Sequence, residues 1–87
     1  MEESFQKAAD EATKLVNRPS YKHLGDLYGL YKQATCGDCN TERPGILDRA
    51  GRGKWDAWAQ RKGLSKNEAM AAYIDLVEEM KTIYGTV

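Results

Sequence analysis

Four stretches of this chain place apolar residues at intervals of three and four, the repeat that lines up side chains along one stripe of an α-helix. Phe5, Ala8, Ala9, Ala12, Leu15 and Val16 make the first. It should stop at Asn17-Arg18-Pro19, because proline steers the residue before it away from helical geometry. Leu24, Leu27, Tyr28, Tyr31 and Ala34 make the second, with Ser20 placed to cap its start and Cys36-Gly37 to end it. In the third, GRGKWDAWAQRK (51–62), Trp55, Trp58 and Ala59 share a side, and Gly63-Leu64 breaks the run. The fourth carries Ala69, Met70, Tyr73, Ile74, Val77, Met80 and Tyr84 and closes at Gly85. Ser65 and Glu68 before it have the spacing of a capping box, in which each side chain bonds the other residue's backbone N–H. No period-two alternation competes with these patterns. Residues 37–50, GDCNTERPGILDRA, have no periodicity, and a loop of that length in a small domain is usually there for function. The pattern predicts one all-α domain over 1–87: four helices with a long loop between the second and third.

Composition agrees and narrows the function. The 87 residues are 41% apolar and 30% charged, a globular balance near the lower size limit for an unaided core. Net charge is zero but uneven. Residues 43–62 hold six Lys/Arg against Asp48 and Asp56, net +4, whereas 1–16 and 63–87 each hold two Lys against four Asp/Glu. A neutral chain is a poor coat for duplex nucleic acid; the basic middle suits a small concentrated anion, or is simply a solvated face. No apolar stretch is long enough to span a membrane, and the acidic start MEESFQKAADE lacks the apolar run of a signal peptide. A cytoplasmic, reducing location is expected, and with it no disulfide.

The stretch TCGDC raises the question of a redox or metal centre at Cys36 and Cys39. A reactive C-x-x-C usually opens a helix after a strand, where the helix N-terminus favours thiolate. Here the pair falls where a helix ends, and the dipole is reversed. A structural zinc would need two more ligands, and the chain has only these two cysteines and one histidine, His23. No nucleophile–base pair stands out. The expectation is therefore a protein that is not an enzyme and carries no metal or cofactor.

Tyr28, Tyr31 and Lys32 sit at i, i+3 and i+4 and so share a helix face. Two phenols beside an ammonium offer rings for stacking, hydroxyl donors and a charge for phosphate. The same residues would also serve as an amphipathic core edge. The spacing suggests a nucleotide site without establishing one.

Longer motifs go further. YKQATCGDCNTERPGILD, then GRGKWDAW, then KNEAMAAYIDLVEEM resemble the acyl-CoA-binding protein family, also called diazepam-binding inhibitors, with no visible gap from about Phe5 to Gly85. The resemblance implies a four-helix bundle, up-down-down-up, with a long overhand loop between helices two and three. It implies non-catalytic, one-to-one binding of medium- and long-chain fatty acyl-CoA by a cytoplasmic monomer that pools and transports it, with transient contacts to membranes or acyl-CoA-using enzymes. By resemblance the ligand site comprises Tyr28, Gly29, Leu30, Tyr31, Lys32, Lys54 and Tyr73. Tyr31 would stack on adenine, Tyr28, Lys32 and Lys54 would collect phosphate charge, chiefly the ribose 3′-phosphate, and Tyr73 would close the site. Gly29 and Leu30 would touch the ligand from the same segment. The family also suggests an alternative, the precursor of a neuroactive peptide modulating GABA-A receptors, with Lys32 as a basic cleavage site before the segment Gln33–Ala50.

This chain departs from the family at several positions. Thr13 and Ala50 stand where lysine is common, Gly25 replaces a larger apolar residue near where the family packs the acyl chain, and Gly53 replaces alanine. Cys36 and Cys39 occupy positions that are commonly apolar in the family, and so are expected to be packing residues.

Overall fold

The computed structural model describes residues 1–86. Its helices are α1 (Glu2–Ala12), α2 (Tyr21–Cys36), α3 (Arg49–Ala59) and α4 (Lys66–Tyr84). The expected caps are in place. Ser20 Oγ accepts from the His23 N–H at 3.3 Å. Ser65 and Glu68 exchange both bonds of the capping box at 3.0 and 2.9 Å. Gly37 and Gly85 close α2 and α4 with φ of 80° and 81°, a left-handed conformation that glycine adopts at no steric cost. Asp48 accepts from the Gly51 N–H at 2.9 Å, so α3 begins at Arg49, two residues ahead of the expected Gly51.

The first helix is shorter than its pattern. It ends at Ala12, where the Thr13 hydroxyl donates to the Asp10 carbonyl at 2.6 Å. Leu15 instead forms an isolated antiparallel bridge with Thr86. The Val16 N–H donates to the Gly85 carbonyl at 3.0 Å and the Asn17 N–H to the Tyr84 carbonyl at 3.1 Å. Carbonyls at the end of a helix have no partner within it, and this extended segment supplies the donors. Leu15 still packs on the core.

Side-chain pairs give the helix directions. Phe5 meets Tyr73 and Glu11 meets Lys81, so α1 and α4 run the same way. Tyr31 meets Tyr73 while the earlier His23 meets the later Tyr84, so α2 runs against them. Tyr28 meets Lys54, and further along both segments Gly37 and Asp38 receive Trp58 and Gly63, so α3 follows the sense of α2. This is the expected up-down-down-up bundle. α2 packs on α3 and α4, and α1 on α4. The core joins Phe5 and Ala8 to Leu27, Leu30 and Ala34 and to Ala69, Met70, Tyr73, Val77 and Met80.

Running α2 and α3 in parallel requires the long connection 37–48, and specific bonds hold it. The Trp58 indole N–H donates to the Gly37 carbonyl and that of Trp55 to the Thr41 carbonyl, both at 2.8 Å. Arg43 grips Asp56 with two bonds at 3.0 and 2.9 Å. Gln33, wholly buried, donates through Nε2 to both Asp38 and the Leu64 carbonyl, tying the loop to the α3–α4 turn. Among the described residues no helix is long and apolar enough to cross a membrane.

Candidate functional site

Because α2 and α3 lie side by side with the loop returning over them, a cleft of about 190 Å³ opens between the three. α2 contributes Tyr28 and Lys32, one helical turn apart; α3 contributes Lys54, Trp55 and Trp58; the loop contributes Thr41, Glu42 and Pro44. Lys32 Nζ stands 4.8 Å from the centre of the Trp58 ring, and Lys54 Nζ 5.6 Å from that of Tyr28. Neither ammonium is in an ion pair among the described residues. Two cations resting on aromatic faces, with no carboxylate within ion-pair distance although Glu42 lies in the same wall, are fitted to receive an anion rich in oxygen.

The other expected site residues lie elsewhere. Tyr31 keeps 38% of its surface exposed while one ring face stacks on Phe5, 5.6 Å between centroids. Tyr73 is 5% exposed and meets Phe5 edge-on at 5.0 Å. Burial, and secondarily Tyr31, pushes the Tyr73 phenol above its ordinary pKa, so it is a neutral hydroxyl at physiological pH. Gly29 is buried against α3, where a Cβ would run into the Ala57 carbonyl. Leu30 is buried in the core. The structure thus gathers Tyr28, Lys32 and Lys54 on one cleft, sets Tyr31 and Tyr73 in a neighbouring aromatic cluster, and uses Gly29 and Leu30 for packing. Trp55, Trp58 and the loop residues Thr41, Glu42 and Pro44 line the cleft without having been singled out for it. The signal for the indoles is KWDAW, which brings both within about a turn of Lys54, and that for the loop residues is the aperiodic stretch 37–50.

The departures also find places. Thr13 closes α1 as described. At Gly25 and Gly53 an added Cβ would meet nothing within 4 Å, so both leave open space. Cys36 and Cys39 are free thiols, and Cys36 is exposed at the end of α2, not packed as expected, because Gln33 and Ala34 take the inward positions of that last turn. The Thr35 hydroxyl, helped by Lys32 and Lys66 and opposed by partial desolvation, lowers the Cys36 thiol pKa. His23 Nδ1 lies 2.6 Å from the Tyr84 hydroxyl, a link between α2 and α4. A second hollow of about 340 Å³ lies between the start of α1 and the α2–α4 seam, floored by Phe5, Ala34 and Met70 and rimmed by Glu2 and Lys66.

The family model described as acyl CoA binding protein matches residues 2–77. Among solved structures, acyl-CoA-binding protein 2 of Oryza sativa is 45% identical with a TM-score of 0.91, covering 94% of this chain and 89% of that one. The acyl-CoA-binding protein of Moniliophthora perniciosa is 32% identical with a TM-score of 0.90, covering 99% and 85%. The acyl-coenzyme-A-binding protein of yeast is 40% identical with a TM-score of 0.77, covering 99% and 100%. With the same helices in the same order and a match over most of its length, this chain belongs to the acyl-CoA-binding protein family.

Proposed function

We propose that this chain binds medium- and long-chain fatty acyl-CoA thioesters one to one, without catalysis, and serves as a pool and carrier for them. The observation that carries this reading is the convergence of Lys32 and Lys54 with Tyr28 on one cleft. The ribose 3′-phosphate of CoA is a compact dianion that two ammonium groups and a phenol can hold at once. Tyr31, with one ring face on Phe5 and 38% of its surface exposed, is the stacking partner for adenine. Tyr73, neutral and buried beneath it, sets the depth of that surface.

Magnitudes divide the work between head group and chain. Stacking a base on an aromatic ring contributes roughly 1–3 kcal/mol, and each charge-assisted phosphate bond roughly 1.5–3 kcal/mol. A buried methylene contributes about 0.8 kcal/mol, so roughly three to eight of them match one stack and one phosphate bond together. The head group therefore sets specificity for CoA and the chain most of the affinity. Titration calorimetry with palmitoyl-CoA, CoA and palmitate tests this. Tight one-to-one binding of the thioester, weak binding of CoA and none of palmitate is expected. A folded protein that ignores the thioester, or an affinity that stays flat from octanoyl- to palmitoyl-CoA, would refute it.

A further inference from the structure

The two most exposed aliphatic side chains of the loop stand together at its tip. The Asp48 N–H donates to the Gly45 carbonyl at 3.0 Å, closing a turn whose two corners are Ile46 and Leu47. Turn corners are usually Gly, Pro, Asn, Asp or Ser. Here they are 76% and 96% exposed. The exposure is not slack in the chain. Pro44 is seated in the cleft wall, Arg43 is pinned to Asp56, and Asp48 caps α3, so the tip is gripped on both sides and held outward.

Its surroundings are cationic. Arg49 follows the turn, is exposed, and is in no ion pair among the described residues; Arg52 and Lys54 lie one turn further along α3. Of the nearby acids, Asp48 is engaged in the cap and Asp56 with Arg43, while Glu42 lies on the cleft side of the loop. Two side chains are too small a patch for a stable protein interface. A pair of aliphatics flanked by arginines is instead the pattern of a shallow interfacial anchor. The apolar tips enter the headgroup boundary and the guanidinium groups meet anionic lipid.

We propose that the Ile46-Leu47 turn is a docking tip for anionic lipid bilayers. Because Thr41, Glu42 and Pro44 of the same loop wall the cleft, a docked tip brings the cleft mouth to the membrane surface. The inference does not depend on what the cleft binds. The test uses the chain without ligand, floated with phosphatidylcholine vesicles that contain or lack phosphatidylserine. Binding to the anionic vesicles, weakened by added salt, is expected. The I46S/L47S variant should lose roughly 10- to 100-fold in partition coefficient, the scale for withdrawing two aliphatic side chains from the interface. I83S, which changes an exposed aliphatic at the far end of α4, should bind as wild type does. Circular dichroism on each variant checks that the fold is kept. No binding to anionic vesicles, or equal binding by I46S/L47S, overturns the proposal. The same loss in I83S overturns it too, and each of these outcomes would leave the tip to a protein partner or a second copy of the chain.

Discussion

Lys32 and Lys54 differ from the other lysines in what they rest on. Each lies over an aromatic ring and lacks an acidic partner, whereas Lys22 and Lys81 are tied to Asp26 and to Glu11 and Glu78. Replacing Lys54 by Ala should weaken palmitoyl-CoA binding roughly 10- to 100-fold, the loss of one charge-assisted contact, while the melting temperature stays near that of wild type. Calorimetry and a thermal melt on the same sample separate the two effects. Cys36 gives a second residue-scale expectation. Exposed and shifted toward thiolate by Thr35, Lys32 and Lys66, it should react with a thiol reagent ahead of half-buried Cys39, and mass spectrometry of a partly labelled sample would show the order. Asp38 carries a pH dependence. The Gly63 N–H and then Gln33 hold its carboxyl below the ordinary range, so its folded pKa is depressed. Its contribution is present above the ordinary carboxylate value and is lost as pH falls through the folded value. Asp38→Asn should lower the urea midpoint at neutral pH, and the gap from wild type should close in acid.

Along α2, two glycines that look alike in the sequence should answer a methyl group in opposite ways. Gly29→Ala would drive Cβ into the Ala57 carbonyl and push α2 off α3, costing about 1–3 kcal/mol. Gly25→Ala would meet open space and stabilise the helix by about 0.5–1 kcal/mol. Denaturant titration of the two variants reads the sign directly. The pair also marks what the sequence could and could not disclose. α2 and α4 were legible end to end because Ser20, Gly37, Ser65 and Gly85 mark their limits chemically. α1 was overextended because Leu15 and Val16 continue its apolar spacing. What turns the chain there is a pair of carbonyls at the end of α4, those of Tyr84 and Gly85, far along the sequence, which periodicity does not register. Tyr28 and Lys32 were legible as a face, whereas Lys54 came only from family resemblance. Trp55 and Trp58 read only as one side of a helix, and that they grip the loop and line the cleft depends on where 37–48 crosses α3.

At the scale of the whole molecule, the parallel run of α2 and α3 and the cleft between them depend on the loop's anchors. Trp58→Phe keeps an aromatic ring but removes the pyrrole half of the indole, and with it the N–H that reaches the Gly37 carbonyl. It should cost about 1–3 kcal/mol, the range for a buried acceptor left unpaired, and should weaken ligand binding with it, since Lys32 rests on the same ring. The pairing of α1 with α4 has a consequence of another kind, in time rather than space. Glu11 and Lys81, which join these helices, are 70 residues apart. α1 is only 11 residues long, shorter than the roughly 12–15 that an isolated helix needs to hold together in water. A chain emerging from the ribosome therefore carries α1 as unstructured polypeptide until α4, its packing partner, has been made. Closing so long a loop is the slow step in an otherwise locally connected bundle, so substitutions at the α1–α4 seam should slow folding more than they speed unfolding.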